Sequence, residues 1–155
     1  MNHEKISVAS IVLNNFKNDS RVLKTARTLQ SNNYNVTVVA LHEEPLLEFE
    51  KVENFSTHRV KLGTRKWSKN KLVQLVKYLE FVIKVIKKYR NVDIVHCNDL
   101  DTLPIGFIIK KFFNRNIKIV YDAHEYEIND VPYQSKKSIK FKYYLEKFLI
   151  GSANK

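Results

Sequence analysis

Apolar residues along the chain fall into two rhythms: short β-branched runs, and longer stretches with an apolar residue roughly every three to four positions. Ile6 to Leu13 reads as a buried strand. The polar loop 14–20 follows, and Asp19 or Ser20 is placed to cap a helix over 21–32, with Val22, Ala26 and Leu29 on one side. Asn32-Asn33 stops that helix. Val36 to Leu41 is a second buried strand, residues 42–55 are acidic and irregular, with Pro45, and Thr57 to Leu62 is a third strand. The spacing of Leu72, Leu75, Val76, Leu79, Val82, Ile83 and Ile86 predicts a helix over 67–90 whose apolar side packs on the sheet. Lys77, Glu80, Lys84, Lys87 and Lys88 then mark its solvent face. Asp93 to Cys97 is a fourth strand, and Leu100 to Phe113 a helix with Pro104 in its first turn, where the missing N–H costs little. Ile117 to Tyr121 is a fifth strand, 122–135 a loop rich in Asp, Glu and His, and Lys136 to Ile150 a last helix.

Apolar strands alternating with helices predict an α/β fold: a Rossmann-like parallel sheet with helices on both faces. Such sheets bind ligands at the carboxyl ends of their strands. Loops 14–20, 96–101 and 122–130 lie there, and all three are polar.

A length of 155 residues, 44% of them hydrophobic, suits one domain with an ordinary core and excludes disorder. The single Cys97 excludes a disulfide framework and points to a reducing compartment. No apolar run reaches the ~18 residues of a membrane span. The N-terminus shows no signal-peptide pattern, so a cytoplasmic location is expected. Charge sharpens the picture. The net charge is +11, and residues 63–155 carry 19 basic side chains against 9 acidic ones. Such a balance suggests an anionic partner: nucleic acid, an acidic membrane surface or a phosphorylated ligand.

Only three glycines are present, and neither a dinucleotide fingerprint nor a P-loop occurs. The first loop instead offers a helix N-terminus beside Lys17 and Arg21, which can hold an anion or be simply an ordinary capped helix. In the second loop, Asp99-x-Asp101 fits a divalent-cation pattern of sugar transferases, although a cap on the helix starting at residue 100 is the preferred reading. His96 reads equally as a satisfied histidine at a strand end. Asp122, His124 and Glu125 make the third loop the best candidate site, since a histidine can donate to a sugar hydroxyl while a carboxylate orients it. The histidines at 42, 96 and 124 are too scattered for zinc. Residues 65–90 hold nine Lys and Arg against one Glu, and 136–147 five Lys against one Glu, interleaved with Phe141, Tyr143 and Tyr144. Basic residues among aromatics on helices suit an interfacial membrane contact, nucleic acid or plain solvated faces.

Three stretches resemble bacterial glycosyltransferases of family four: Asn18 to Leu29 with Tyr34 to Ala40, Asp93 to Gly106, and Lys118 to Glu125. The resemblance implies the N-terminal half of a GT-B fold, in which two Rossmann-like domains face across a cleft. It also implies transfer of a sugar from a nucleotide-sugar donor with retention of configuration and without a metal or other cofactor. The N-terminal domain binds the acceptor. A C-terminal domain, absent here, binds the nucleotide and carries Glu-x7-Glu. Residues 1–155 are then a single acceptor-binding domain, cut before its last strand and inactive alone. His124 matches the histidine that contacts the donor sugar beside the reaction centre. Asn15, Lys17, Asn18 and Arg21 in the first loop, His96, Asp99 and Asp101 in the second, and Asp122 and Glu125 in the third fall where the family binds donor or acceptor. Members carry glycines in the first loop where this chain has Asn14, Asn15, Lys17 and Asn18. The resemblance further implies a glycan or lipid-linked acceptor for cell-surface polysaccharide or lipopolysaccharide. It implies docking on the inner face of the cytoplasmic membrane through the basic helices 65–90 and 136–147, with no nucleic acid partner. Two alternatives stay open: a metal-dependent sugar transferase using Asp99 and Asp101, and a noncatalytic basic module for nucleic acid or anionic membrane.

Overall fold

The computed structural model describes residues 5–123, 136–151 and 153, with backbone alone at 136–139. Strand β1 (Ser7–Ile11) leads to helix α1 (Ser20–Ser31) and strand β2 (Asn35–Leu41). A hairpin of β3 (Phe49–Val52) and β4 (Phe55–Val60) precedes α2 (Lys71–Tyr89). Then come β5 (Ile94–Cys97), α3 (Leu103–Phe112), β6 (Lys118–Tyr121) and α4 (Lys136–Ile150).

The six strands form one sheet in the order β3-β4-β2-β1-β5-β6. All pairs are parallel except β3–β4. The Rossmann-like arrangement expected for a GT-B half is therefore present. Alternate side chains of β1 feed two cores. Val8 and Val12 join Val22, Ala26, Val36, Val38 and Phe55 under α1. Ala9 and Ile11 join Phe81, Val85, Leu103, Ile105, Ile109 and Leu149 under α2, α3 and α4. Gly106 lets α3 approach the sheet, because a Cβ there would stand 3.1 Å from Cys97 Sγ and 3.3 Å from Ile119 Cγ2.

Several boundaries hold. Asp19 caps α1 by accepting from Val22 N–H at 3.1 Å, and the helix ends at Asn32 with Asn33 at φ 67°. Pro104 sits in the first turn of α3. Four expectations need correction. The segment 42–55 is not wholly irregular, since it contains β3, which pairs antiparallel with β4 at the edge of the described sheet. Helix α3 starts at Leu103 with Thr102 at its N-cap, and a turn closed by Thr102 N–H to Asp99 O precedes it, so the cap does not fall on an aspartate. Helix α2 starts at Lys71, where the Asn70 side chain accepts from Val73 N–H, so Trp67 lies outside it.

The fourth correction is the largest. Leu72, Leu75, Val76, Leu79 and Ile83 do not pack on the sheet; they are exposed. The buried side of α2 is Phe81, Val82, Val85, Ile86 and Tyr89, and Lys77 is buried with them. Length is the cause. Nineteen residues of helix run about 28 Å, whereas β4 and β5, with six and four residues, run roughly 13–20 Å. Lys84 Nζ donates to Lys61 O, just past the end of β4, and Glu80 accepts from Gly63 N–H and Thr64 N–H. The turns before Glu80 therefore extend beyond the carboxyl edge of the sheet. Lys77 finds its partners there, donating to Trp67 O at 2.9 Å and Ser68 O at 3.2 Å.

Candidate functional site at the carboxyl edge of the sheet

The parallel strands end at Ile11, Leu41, Val60, Cys97 and Tyr121, all on one edge. Arg21, in the first turn of α1, spans the loops that follow β5 and β6. Its Nη1 donates to Asn98 O at 3.2 Å and to Asp122 Oδ2 at 2.9 Å. Its Nη2 lies 3.6 Å from Asp99 Oδ1. Asp122 is fixed in turn by its own N–H, which donates to Cys97 O at 2.9 Å. Three loops distant in sequence are thus tied by one half-buried guanidinium.

Beneath this bridge lies a buried polar layer. His96 and Ser10 are register partners on β5 and β1, with Nδ1 and Oγ 3.5 Å apart. Asn98 is wholly buried and donates through Nδ2 to Ser10 Oγ and Ile11 O. Its Oδ1 has no hydrogen-bond partner among the described residues. Burial lowers the His96 pKa, as does the Arg21 charge, against the opposing pull of Asp122. The imidazole is accordingly neutral near pH 7 and can serve as donor or acceptor. Cys97, on the opposite face, is inert: burial pushes its thiol up to about 12.

The structure thus joins Arg21, His96, Asp99 and Asp122, and it separates the other first-loop candidates from them. Lys17 and Asn18 line a cavity of about 450 Å³ with Phe16, Leu46, Glu50 and Arg59, against the β3–β4 hairpin. Asn15 is held on that side too, donating to Glu43 at 2.7 Å while its carbonyl accepts from Arg59 Nε at 2.9 Å. The exposed Asp101 receives the Tyr78 hydroxyl on its main-chain oxygen. His124 and Glu125 lie outside the described residues. Sequence reasoning missed Ser10, Asn98 and Arg59. Ser10 had one signal, a polar residue on the face of a buried strand that points to the helix α1 side. Arg59 had none, because a buried guanidinium reads like any exposed one. Among the described residues, no group of three or more His, Cys, Asp or Glu side chains could hold a metal ion.

This fold recurs in solved glycosyltransferases. Sucrose-phosphate synthase from Thermosynechococcus elongatus superposes with a TM-score of 0.71 at 13% identity, over 96% of this chain and 41% of that one. The catalytic domain of starch synthase IV from Arabidopsis thaliana, bound to ADP and acarbose, gives a TM-score of 0.61 at 12% identity, over 80% of this chain and 35% of that one. The apo lipopolysaccharide outer core galactosyltransferase WaaB gives 0.51 at 14% identity, over 78% and 33%. The chain therefore spans about two fifths or less of the length of these enzymes. No curated protein matches it in sequence. At such identities the likeness shows the fold, and the sequence model supplies the lineage: residues 20–155 match Glycosyltransferase Family 4, and the chain belongs to that family.

Proposed function

We propose that this chain is the acceptor-binding half of a retaining glycosyltransferase. The whole enzyme moves a sugar from a nucleotide-sugar donor to a glycan or lipid-linked acceptor for cell-surface polysaccharide or lipopolysaccharide, at the cytoplasmic face. A second Rossmann-like domain with Glu-x7-Glu supplies the nucleotide site. The supporting observation is the Arg21 bridge, which holds the Asp99 and Asp122 carboxylates at the edge where such sheets bind ligands.

The chemistry follows from those groups. Asp99 and Asp122 keep carboxylate oxygens at the surface, each about one third exposed, and can accept from acceptor hydroxyls. Arg21 positions both and offers further N–H donors toward an anionic donor. His124, two residues past Asp122, is the group assigned to the donor sugar beside the reacting carbon. No resident metal is assigned, because Arg21 already brings positive charge to Asp99, one member of the Asp99-x-Asp101 pair. Activity that persists in excess chelator is the matching expectation.

The deciding experiment is His124→Ala in the full-length enzyme, assayed with a nucleotide-sugar donor. Turnover is expected to fall at least about a hundredfold, with an unchanged circular dichroism spectrum. Turnover near that of the wild type would remove His124 from the reaction centre and the assignment with it.

A further inference from the structure

Ser10, His96 and Asn98 form the polar layer beneath the Arg21 bridge, and the bonds within it decide where a proton sits. Ser10 is 1%, His96 5% and Asn98 0% exposed. Asn98 Nδ2 donates to Ile11 O at 3.0 Å and to Ser10 Oγ at 2.9 Å. The Ile11 carbonyl sets the orientation of that amide, because the reversed one would bring two acceptor oxygens together. Ser10 Oγ therefore accepts from Asn98, and its own proton needs an acceptor. His96 Nδ1, at 3.5 Å, is the other atom bonded to Ser10 Oγ among the described residues. Were Nδ1 to carry the proton, the buried Ser10 O–H would be left without an acceptor, which is costly. Ser10 thus donates and His96 Nδ1 accepts.

We propose that Asn98 and Ser10 are positioning residues that hold His96 as its Nε2–H tautomer, so that His96 meets a ligand as a hydrogen-bond donor and not as a base. In a neutral imidazole one nitrogen donates and the other accepts. With Nδ1 engaged by Ser10, the ring proton is on Nε2, and His96 has no free lone pair to take a proton from a sugar hydroxyl. Burial keeps the ring neutral near pH 7, as acceptance at Nδ1 requires. Nε2–H has no partner among the described residues and suits an oxygen acceptor. For the nature of that oxygen, on a bound sugar or phosphate, this rests on the glycosyl-transfer reading.

Asn98 serves the guanidinium as well as the imidazole. Its main-chain N–H also donates to Ile11 O, at 3.3 Å, so one residue grips one carbonyl through backbone and side chain together. That grip joins the ends of β1 and β5 and holds Asn98 O where it accepts from Arg21 Nη1 at 3.2 Å. The charges of Asp122 and Arg21 both reach His96. The tautomer of the ring and the placement of the Arg21 bridge are therefore set by the same buried amide, one through the Ser10 hydroxyl and the other through the Asn98 carbonyl.

Long-range proton–nitrogen correlation spectra of the 15N-labelled protein at pH 7 read the tautomer directly, with His96 assigned as the ring lost in His96→Gln. The expected pattern is an unprotonated nitrogen shift at Nδ1 and a protonated one at Nε2. The reverse pattern, a ring averaging between tautomers, or an imidazolium would each overturn the proposal. Ser10→Ala and Asn98→Asp should both move the His96 shifts away from the wild-type pattern, with circular dichroism as the check on folding. Unmoved shifts in either folded variant would also overturn it. In the full-length enzyme assayed with a nucleotide-sugar donor, Ser10→Ala should lower turnover roughly fivefold. His96→Gln, which keeps an N–H donor, should lower it by about tenfold or less. A fall of about a hundredfold or more would make His96 a base. An enzyme that transfers no sugar would end the glycosyl-transfer reading and leave the tautomer standing on its spectrum.

Discussion

Helices α1 and α2 pack on opposite faces of the same sheet and obey the same apolar periodicity, yet the outcome differs. Helix α1 has 12 residues, about 18 Å, and lies over β1 and β2, strands of five and seven residues that run roughly 17–24 Å. It fits its strands, buries Val22 and Ala26, and leaves Lys24 and Arg27 exposed. Helix α2 outruns its strands, so only the half after Glu80 is seated. Periodicity says that a helix has an apolar side. The length of the sheet beneath says how much of that side is covered.

The seated half should carry nearly all of the stability that α2 contributes. Phe81 is fully buried in the core with Val85, Leu103 and Ile105. Phe81→Ala should cost about 3–5 kcal/mol through lost transfer energy and the cavity left behind. Urea denaturation would read it as a fall in midpoint at constant slope. A cost under about 1 kcal/mol would mean that α2 is anchored elsewhere, and the contrast with α1 would dissolve.

The end of the seated half can be probed by pH. Tyr89, the last residue of α2, places its hydroxyl 2.8 Å from His58 Nδ1 on β4, and His58 stacks on Phe49 at 4.5 Å. Burial pushes the His58 pKa down to about 4, helped by the Lys88 charge and opposed by Glu48. A depressed histidine favours the neutral form in the folded state. Its contribution is complete above the unfolded value near pH 6.5 and is lost as pH falls from 6.5 toward 4. Denaturation at stepped pH should show a loss in that window on the order of 2 kcal/mol, most of it absent in His58→Phe. Parallel pH curves for the two proteins would show that the His58 contact does not couple α2 to the sheet.

What was legible in the chain follows the same division. Short β-branched runs announced β1, β2, β5 and β6; in β1, β2 and β5 this follows from burial on both faces, which leaves little choice of composition. Caps were legible too, since Asp19 and Asn32-Asn33 act on backbone within a few residues of themselves. The edge strand β3 was not: Phe49-Glu50-Lys51-Val52 is half polar and takes its conformation from pairing with β4. The seating of α2 was not legible either, because leucines at 72, 75 and 79 look the same whether or not a sheet lies beneath them. At the site, Arg21, His96, Asp99 and Asp122 were all readable as polar residues at strand ends. Their assembly depends on strand order, which places the ends of β1, β5 and β6 side by side. Lys17 and Asn18 fell in the same loop as Arg21, yet the turn at Phe16, with φ 53°, directs them to the β3–β4 hairpin.

The smallest effect should come from the unseated half, and its smallness is informative. Leu79 is 48% exposed, although its neighbours Lys77 and Tyr78 already bond to the loops that follow β4 and β5. Leu79→Ala removes a side chain that touches little, and alanine is the better helix former. Its stability should stay within about 0.5 kcal/mol of the wild type, against the large loss expected for Phe81→Ala two residues on. The same change at a buried leucine costs roughly 2–5 kcal/mol, so urea denaturation separates the cases cleanly. A loss of that size at Leu79 would mean that the chain itself covers the exposed apolar side of α2 in solution. The overhang would then be part of the core, and α2 would be seated along its length as α1 is.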